Sequence, residues 1–328
     1  MTASPDTGLA GPAPSASAAL KPTPPPAADG CGKPAKEVLE IQGWSTALGR
    51  HLYFHSSNTL RTFYRFDTKT GAWETLPELK DRRFFHLLAD GDRILAVGGI
   101  APNDDDPDEG KLPPTVPVTS IQAFDFATCS WRDAGKIPAG PPYRVPVIVG
   151  RSLYLFGGLS FDKGPTGKPQ RTVSVVSLAD GRHESRKPMP KLGHRVLDAV
   201  VVGERIFLLG DSNAVHIYDP KTDTWSRGAN SGGHGTAADN LFVAHEGRIF
   251  SFPHTWGPIE VTAYDAAANT WADLDPLPGL DDKAGDHVFA AEVIEGALTI
   301  AAQKSRPGLR TTLVFRHDEL SGAWVKAP

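Results

Sequence analysis

Three pairs of side chains suited to chemistry recur at one interval in this sequence: Arg82-Arg83, His194-Arg195 and Asp286-His287. Each pair lies twelve and eleven residues ahead of the first residue of an apolar run, "ILAVGG" from 94, "IFLLGD" from 206 and "LTIAAQ" from 298. Arg144 and His234 fall within a few residues of the same level. An arginine fork matches a carboxylate bidentately, and low-dielectric walls strengthen its field. The set therefore reads as a site for an anion, either a sugar acid or an acidic peptide segment. The same residue types at strand heads also serve as structural hydrogen-bond donors, and that alternative stays open. Asp286, His287 and His194 are the groups that could take and give a proton in catalysis. His194, His234 and His287 lack the local spacing of a metal site, so no metal is expected. His254 and Trp256 share the loop "PHTWGP", where the indole can stack on a sugar, anchor a peptide or pack on a neighbouring unit. No nucleophile motif, phosphate-cradling loop or cofactor fingerprint is present, and no cofactor is expected.

The elements that position these residues repeat. An aromatic-Asp pair is followed by Trp six residues after the Asp in Phe66-Asp67…Trp73, Phe124-Asp125…Trp131, Tyr218-Asp219…Trp225 and Tyr264-Asp265…Trp271. His317-Asp318…Trp324 is a fifth, slightly degraded copy, and Leu178-Ala179…Ser185 is taken as a sixth that has lost both signature residues. The period is roughly 50 residues. Within each copy two apolar β-branched runs are joined by a tight glycine turn, and a third strand then leads into the Asp turn and the Trp. One such unit cannot bury both faces of its sheet, so the copies must stack. The fold class this predicts is all-β, a six-bladed β-propeller of four-stranded antiparallel blades.

Paired glycines at Gly98-Gly99 and Gly157-Gly158, followed by the aromatic-Asp and Trp frame, resemble the kelch repeat, including that of the galactose oxidase central domain. The resemblance covers about residues 40 to 328. It departs in the missing double glycine of blades 1, 5 and 6 and in the degenerate blade 3. Kelch propellers include protein-binding modules, a sialic acid mutarotase and copper-radical oxidases. The resemblance therefore implies a binding module that holds an anionic ligand or acidic peptide at the mouth of the central channel. The alternative it implies is a carbohydrate-directed enzyme, of mutarotase or lyase type, using the same mouth. A copper-radical site would need a cysteine beside a tyrosine at the metal, and Cys129 falls at a turn on the wrong face.

Composition sets the remaining bounds. The 328 residues are 40% hydrophobic and 22% charged with a formal net charge of −4, which argues against nucleic acid as the main partner. No apolar run is long enough to span a membrane. Residues 1–36 are rich in Pro, Ala and Ser and read as a disordered leader, with the propeller over 37–328 and a monomer expected. The leader lacks the pattern of a signal peptide, so the compartment, soluble or exported, stays open. Cys31 and Cys129 either pair or stand as unrelated thiols. The acidic run "NDDDPDEG" at 103–110 reads as a solvated loop, because Pro107 breaks the pattern of a calcium loop. Its parent loop and "LSFDKGPTGKPQRT" are long, whereas the first hairpin of every blade is minimal. Long loops carry function, so the site is assigned to the face that bears them. "WVKAP" at the end of the chain is short for an outer strand, and "KEVLEI" at 36–41 can complete blade 6 or begin blade 1.

Overall fold

A computed structural model describes residues 30–35, 45–55, 62–101, 116–161, 167–191, 196–210, 214–231, 240–253, 260–281, 285–306 and 309–327. Blade 1 is built from Thr46–Leu48, His51–His55, Phe63–Asp67 and Trp73–Leu76. Blade 2 is built from His86–Asp90, Arg93–Val97, Ser120–Asp125 and Ser130–Lys136, and blade 3 from Arg144–Val149, Ser152–Gly157, Val173–Ser177 and His183–Ser185. Val196–Val202, Arg205–Gly210, Ala214–Asp219 and Thr224–Asn230 form blade 4, and Asn240–His245, Arg248–Pro253, Val261–Asp265 and Thr270–Leu274 form blade 5. Blade 6 contains His287–Ile294, Ala297–Arg306, Leu309–His317 and Trp324–Lys326. All pairings are antiparallel, and each innermost strand touches the innermost strand of both neighbours, so the six close a ring around a channel.

Each innermost hairpin turns through two residues, as in Leu48↔His51 and His245↔Arg248. Left-handed residues sit in all six turns, among them Gly49, Gly91, Glu246 and Glu295. These turns match the right-handed twist of the flanking strands, which keeps one face of the propeller flat and bare.

The Asp of the repeat builds the outer turn. Asp67 Oδ1 accepts the N–H groups of Lys69 (2.9 Å) and Thr70 (3.2 Å), and Asp219 and Asp265 do the same two and three residues on. Four residues after the Asp the backbone is left-handed, at Gly71, Cys129, Asp223, Asn269 and Gly322. This corrects the frame expected for blade 3. There the left-handed residue is Gly181, whose N–H donates to Ser177 O (2.9 Å), while Ser177 Oγ accepts from Ala179 N (3.3 Å). Ser177 therefore replaces the Asp and His183 replaces the Trp, two residues earlier than Ala179 and Ser185.

The tryptophans join the blades. The indole N–H donates to a carbonyl at the outer edge of the preceding blade: Trp131 to Pro77 (2.9 Å), Trp225 to Lys187 (3.1 Å), Trp271 to Ala229 (3.2 Å) and Trp324 to Asp275 (3.0 Å). Between blades lie six apolar clusters, one per seam. The seam between blades 6 and 1 is closed by Leu52, Phe54, Phe66 and Phe289, with Ala47 and Ala327 packed on the same cluster. Blade 6 has its own fourth strand, three residues long, and residues 36–41 lie outside the described residues.

Residues 30–35, which composition places in the leader, are pinned to the propeller. Lys33–Pro34 adds a fifth strand to the outer edge of blade 1, and Ala35 N donates to Trp73 O (2.9 Å). Cys31 is disulfide-bonded to Cys129 in the outer turn of blade 2, which settles the pairing in favour of a bridge. The described residues contain no helix long and apolar enough to cross a membrane.

Candidate functional site

The mouth on the loop-rich face is shaped by the paired glycines. A Cβ on Gly99 would lie 2.7 Å from Arg83 O, and one on Gly158 would lie 2.7 Å from Pro142 O. Only glycine lets the chain entering the innermost strand of the same blade approach this closely. Arg83 and Ile100 exchange backbone bonds of 2.9 Å, and Leu159 N reaches Pro142 O at 2.9 Å. Just after these clamps the backbone is left-handed at Phe84 (φ 54°) and Tyr143 (φ 59°). Bulky residues rarely adopt this conformation, and such strain concentrates at functional sites.

The clamped rings form a ledge. Phe84 and Tyr143 have centroids 6.0 Å apart, and Tyr143 and Phe161 are 6.1 Å apart. Phe84 is 39% exposed, and Val116 on the same face is 58% exposed. Beside the ledge is a cavity of about 410 Å³ lined by Pro117, Gly140, Pro141, Pro142, Phe161 and Gln170. Burial raises the Tyr143 phenol pKa, and the nearby Arg83 cation pulls against it.

The expected site residues divide sharply. Arg82 is fully buried and spends its guanidinium inside blade 2, on Ser120 O (2.7 Å), Ser120 Oγ (2.6 Å), Gly98 O (3.2 Å) and both oxygens of Asp81 (2.9 Å each). That network makes it a strut beneath the mouth. Arg144 is also buried, donates to Pro138 O (2.8 Å), and is lowered to about 10 by burial. Arg83 is half-buried at the ledge. Asp286 is buried, and its Oδ2 accepts from Asp281 N (2.9 Å) within its own loop. His287 Nδ1 is 3.4 Å from Gly285 O. His194, Arg195, His234, His254 and Trp256 lie outside the described residues.

A second polar site was missed in the sequence. The innermost strands enclose a channel cavity of about 390 Å³ whose polar lining includes Asp198, Glu292, His86, Ser45 and Thr46. Ser45 Oγ donates to Glu292 Oε1 (2.8 Å). Burial pushes Glu292 up to about 8, with the Ser45 bond opposing and the Asp198 charge adding to it. Burial pushes Asp198 up to about 7 against the backbone N–H groups of Ala199 and Phe242. His86 is pulled down to about 3 by burial and by His55. The available signal was an acid inside an otherwise apolar strand, in "VLDAVVV" and "HVFAAEVI".

On the opposite face His245, Glu246 and Glu319 place ligand atoms within 4.8 Å of one another. The 2.7 Å contact of His245 Nε2 with Glu319 Oε1 ties blade 5 to blade 6 at an exposed rim, which accounts for the group without a ligand.

No protein-family model matches the chain. Kelch-like protein 38 of Homo sapiens is 23% identical over 256 residues, 74% of this chain and 39% of that protein. Kelch-like protein 34 of Homo sapiens is 25% identical over 171 residues, 50% of this chain and 24% of that protein. Kelch-like protein 36 of Mus musculus is 24% identical over 240 residues, 66% of this chain and 35% of that protein. The chain thus spans less than half the length of the curated relatives it matches. The solved structure of YjhT aligns with a TM-score of 0.64 over 88% of this chain and 97% of that one, at 12% identity, a likeness of fold. Six four-stranded blades, each turned by an Asp or its stand-in, define a six-bladed β-propeller. The glycine pairs, the Trp latches and these relatives of low identity support a kelch-repeat β-propeller family for this fold.

Proposed function

We propose that this propeller is a protein-binding module that holds an acidic peptide segment at its loop-rich mouth, above blades 2 and 3. The observation that carries this reading is the strained aromatic ledge: Phe84 and Tyr143 are held at positive φ with Phe84 exposed, beside Arg83. Exposed aromatic side chains rimmed by an arginine are the composition of binding hot spots. A row of three rings suits an extended segment with an apolar anchor better than a small sugar acid, whose polar rim would desolvate against Phe84 and Phe161. The enzyme alternative depends on Asp286, engaged in its own loop, and on His194, outside the described residues, so no observation favours it.

The test is fluorescence anisotropy with labelled peptides that carry a Phe or Leu anchor flanked by Asp/Glu, Gln or Lys, together with thermal shift against acidic monosaccharides. The acidic peptides should bind, weaken with salt, and lose roughly tenfold or more in affinity with Phe84→Ala or Arg83→Ala. Binding of the sugars alone, or of no peptide in the panel, would overturn the reading.

A further inference from the structure

The channel differs chemically from the mouth above it. Over most of its circumference the wall is aliphatic, and blades 3 and 5 contribute only apolar side chains to the lining, such as Ile148 and Phe242. Its ionisable groups are Asp198 on blade 4, Glu292 on blade 6 and His86 on blade 2, and no Lys or Arg is among the lining residues. On blade 1, Thr46 Oγ1 is used by Ala89 N (3.1 Å) and Ser45 is used by Glu292. Asp198 Oδ1 accepts the N–H of its own neighbour Ala199 (2.7 Å). Glu292 accepts from Ser45 through Oε1 and lines the cavity together with Asp198.

We propose that the central channel binds a small organic cation, a primary ammonium group on a short apolar body, between the carboxylates of Asp198 and Glu292. The volume falls in the range of small-molecule sites, which are mostly apolar with a few convergent polar groups. The aliphatic wall takes the body, and the carboxylates take the charge. A divalent metal is a poorer match, because the His/Asp/Glu group found close enough to share one among the described residues lies elsewhere, on the opposite face. His86, the remaining ionisable group of the lining, stays neutral and does not repel a cation. Burial holds both carboxyls partly protonated near neutral pH, so the cation binds their ionised form and displaces protons.

The test titrates n-butylammonium into the full chain by calorimetry and thermal shift at pH 6 and pH 9, with n-butanol as the uncharged control. Affinity should rise from pH 6 to pH 9 by about tenfold where Asp198 must ionise and by nearly a hundredfold where Glu292 must, given their values near 7 and near 8. The heat should depend on the buffer's own ionisation heat, and Asp198→Asn/Glu292→Gln should abolish binding. Equal affinity at the two pH values, equal binding of n-butanol, or binding that survives in the double variant would overturn the proposal. Should the double variant fail to fold, the wild-type pH and buffer-heat comparisons decide alone. None of these outcomes bears on the mouth, which is read by Phe84 and Arg83.

Discussion

Blade 2 has two seams, and they are built differently. Against blade 1 it packs Phe63, Phe85, Phe124 and Phe126, latches through Trp131 to Pro77, and is bridged by the Cys31–Cys129 disulfide. Against blade 3 it packs Leu95, Val97, Ile121, Leu153, Leu155 and Val176, with no aromatic residue in the cluster. Where the other copies carry the latching Trp, blade 3 has the exposed His183. The less reinforced seam runs beneath the Phe84–Tyr143 ledge. The comparison suggests that rigidity is concentrated on one side of blade 2, while the side that carries the candidate site is left with nondirectional contacts.

The disulfide is the first place to break this contrast. It closes a sequence separation of 98 residues, and Cys31→Ser/Cys129→Ser should cost about 4 kcal/mol in denaturant unfolding, with reductant giving the same loss in wild type. Trp131→Ala should cost about 3 kcal/mol by loss of packing and of the indole bond. Equal losses from Leu155→Ala and Trp131→Ala would erase the distinction between the seams. In the other direction, His183→Trp supplies the missing latch and should add about 1 kcal/mol, with faster hydrogen exchange in blade 3 than in blade 1 disappearing in that variant. Phe84→Gly should change stability least, since relief of the positive φ offsets the loss of a partly exposed ring, while binding at the mouth is lost.

The channel carboxyls bond across other seams, Asp198 to Phe242 N of blade 5 and Glu292 to Ser45 beside blade 1, and so sharpen the contrast within blade 2 as a control. Asp198 and Glu292 have folded-state values near 7 and near 8, above the ordinary carboxyl range. Their contribution is fully present below about pH 4 and is lost as pH rises through about 7 to 8. Thermal midpoints should fall across that window in wild type and stay flatter in Asp198→Asn/Glu292→Gln, with the difference between the two seams unchanged.

Five of the six copies were legible because an Asp that caps its own turn and a Trp that must reach the preceding blade leave few substitutes. Blade 3 was placed two residues late because Ser177 does the Asp's work with a shorter acceptor, and neighbouring small residues look equivalent by counting. The channel acids escaped for a different reason. The register slips between Val196 and Asp198 and again between Val288 and Ala290. A bulge reverses the alternation of facing beyond it, so counting inward from the strand heads assigns Asp198 and Glu292 no definite side. Arg82 and Arg83 were both visible as candidates, but burial of one and the clamp at the other depend on Gly98-Gly99 approaching the linker, a tertiary contact.

Every blade is a single continuous stretch of chain, and the seam between blades 6 and 1 is held by side chains, with Ala47 and Ala327 on one cluster. Among the described residues no strand crosses between first and last blade to fasten the ring, so its order of assembly is not written into their connectivity. A circular permutant that joins the two ends of the whole chain, so that Cys31 still bridges to Cys129, and opens between blades 3 and 4 should reach the same ring, since only the covalent path, and none of the six interfaces, would change.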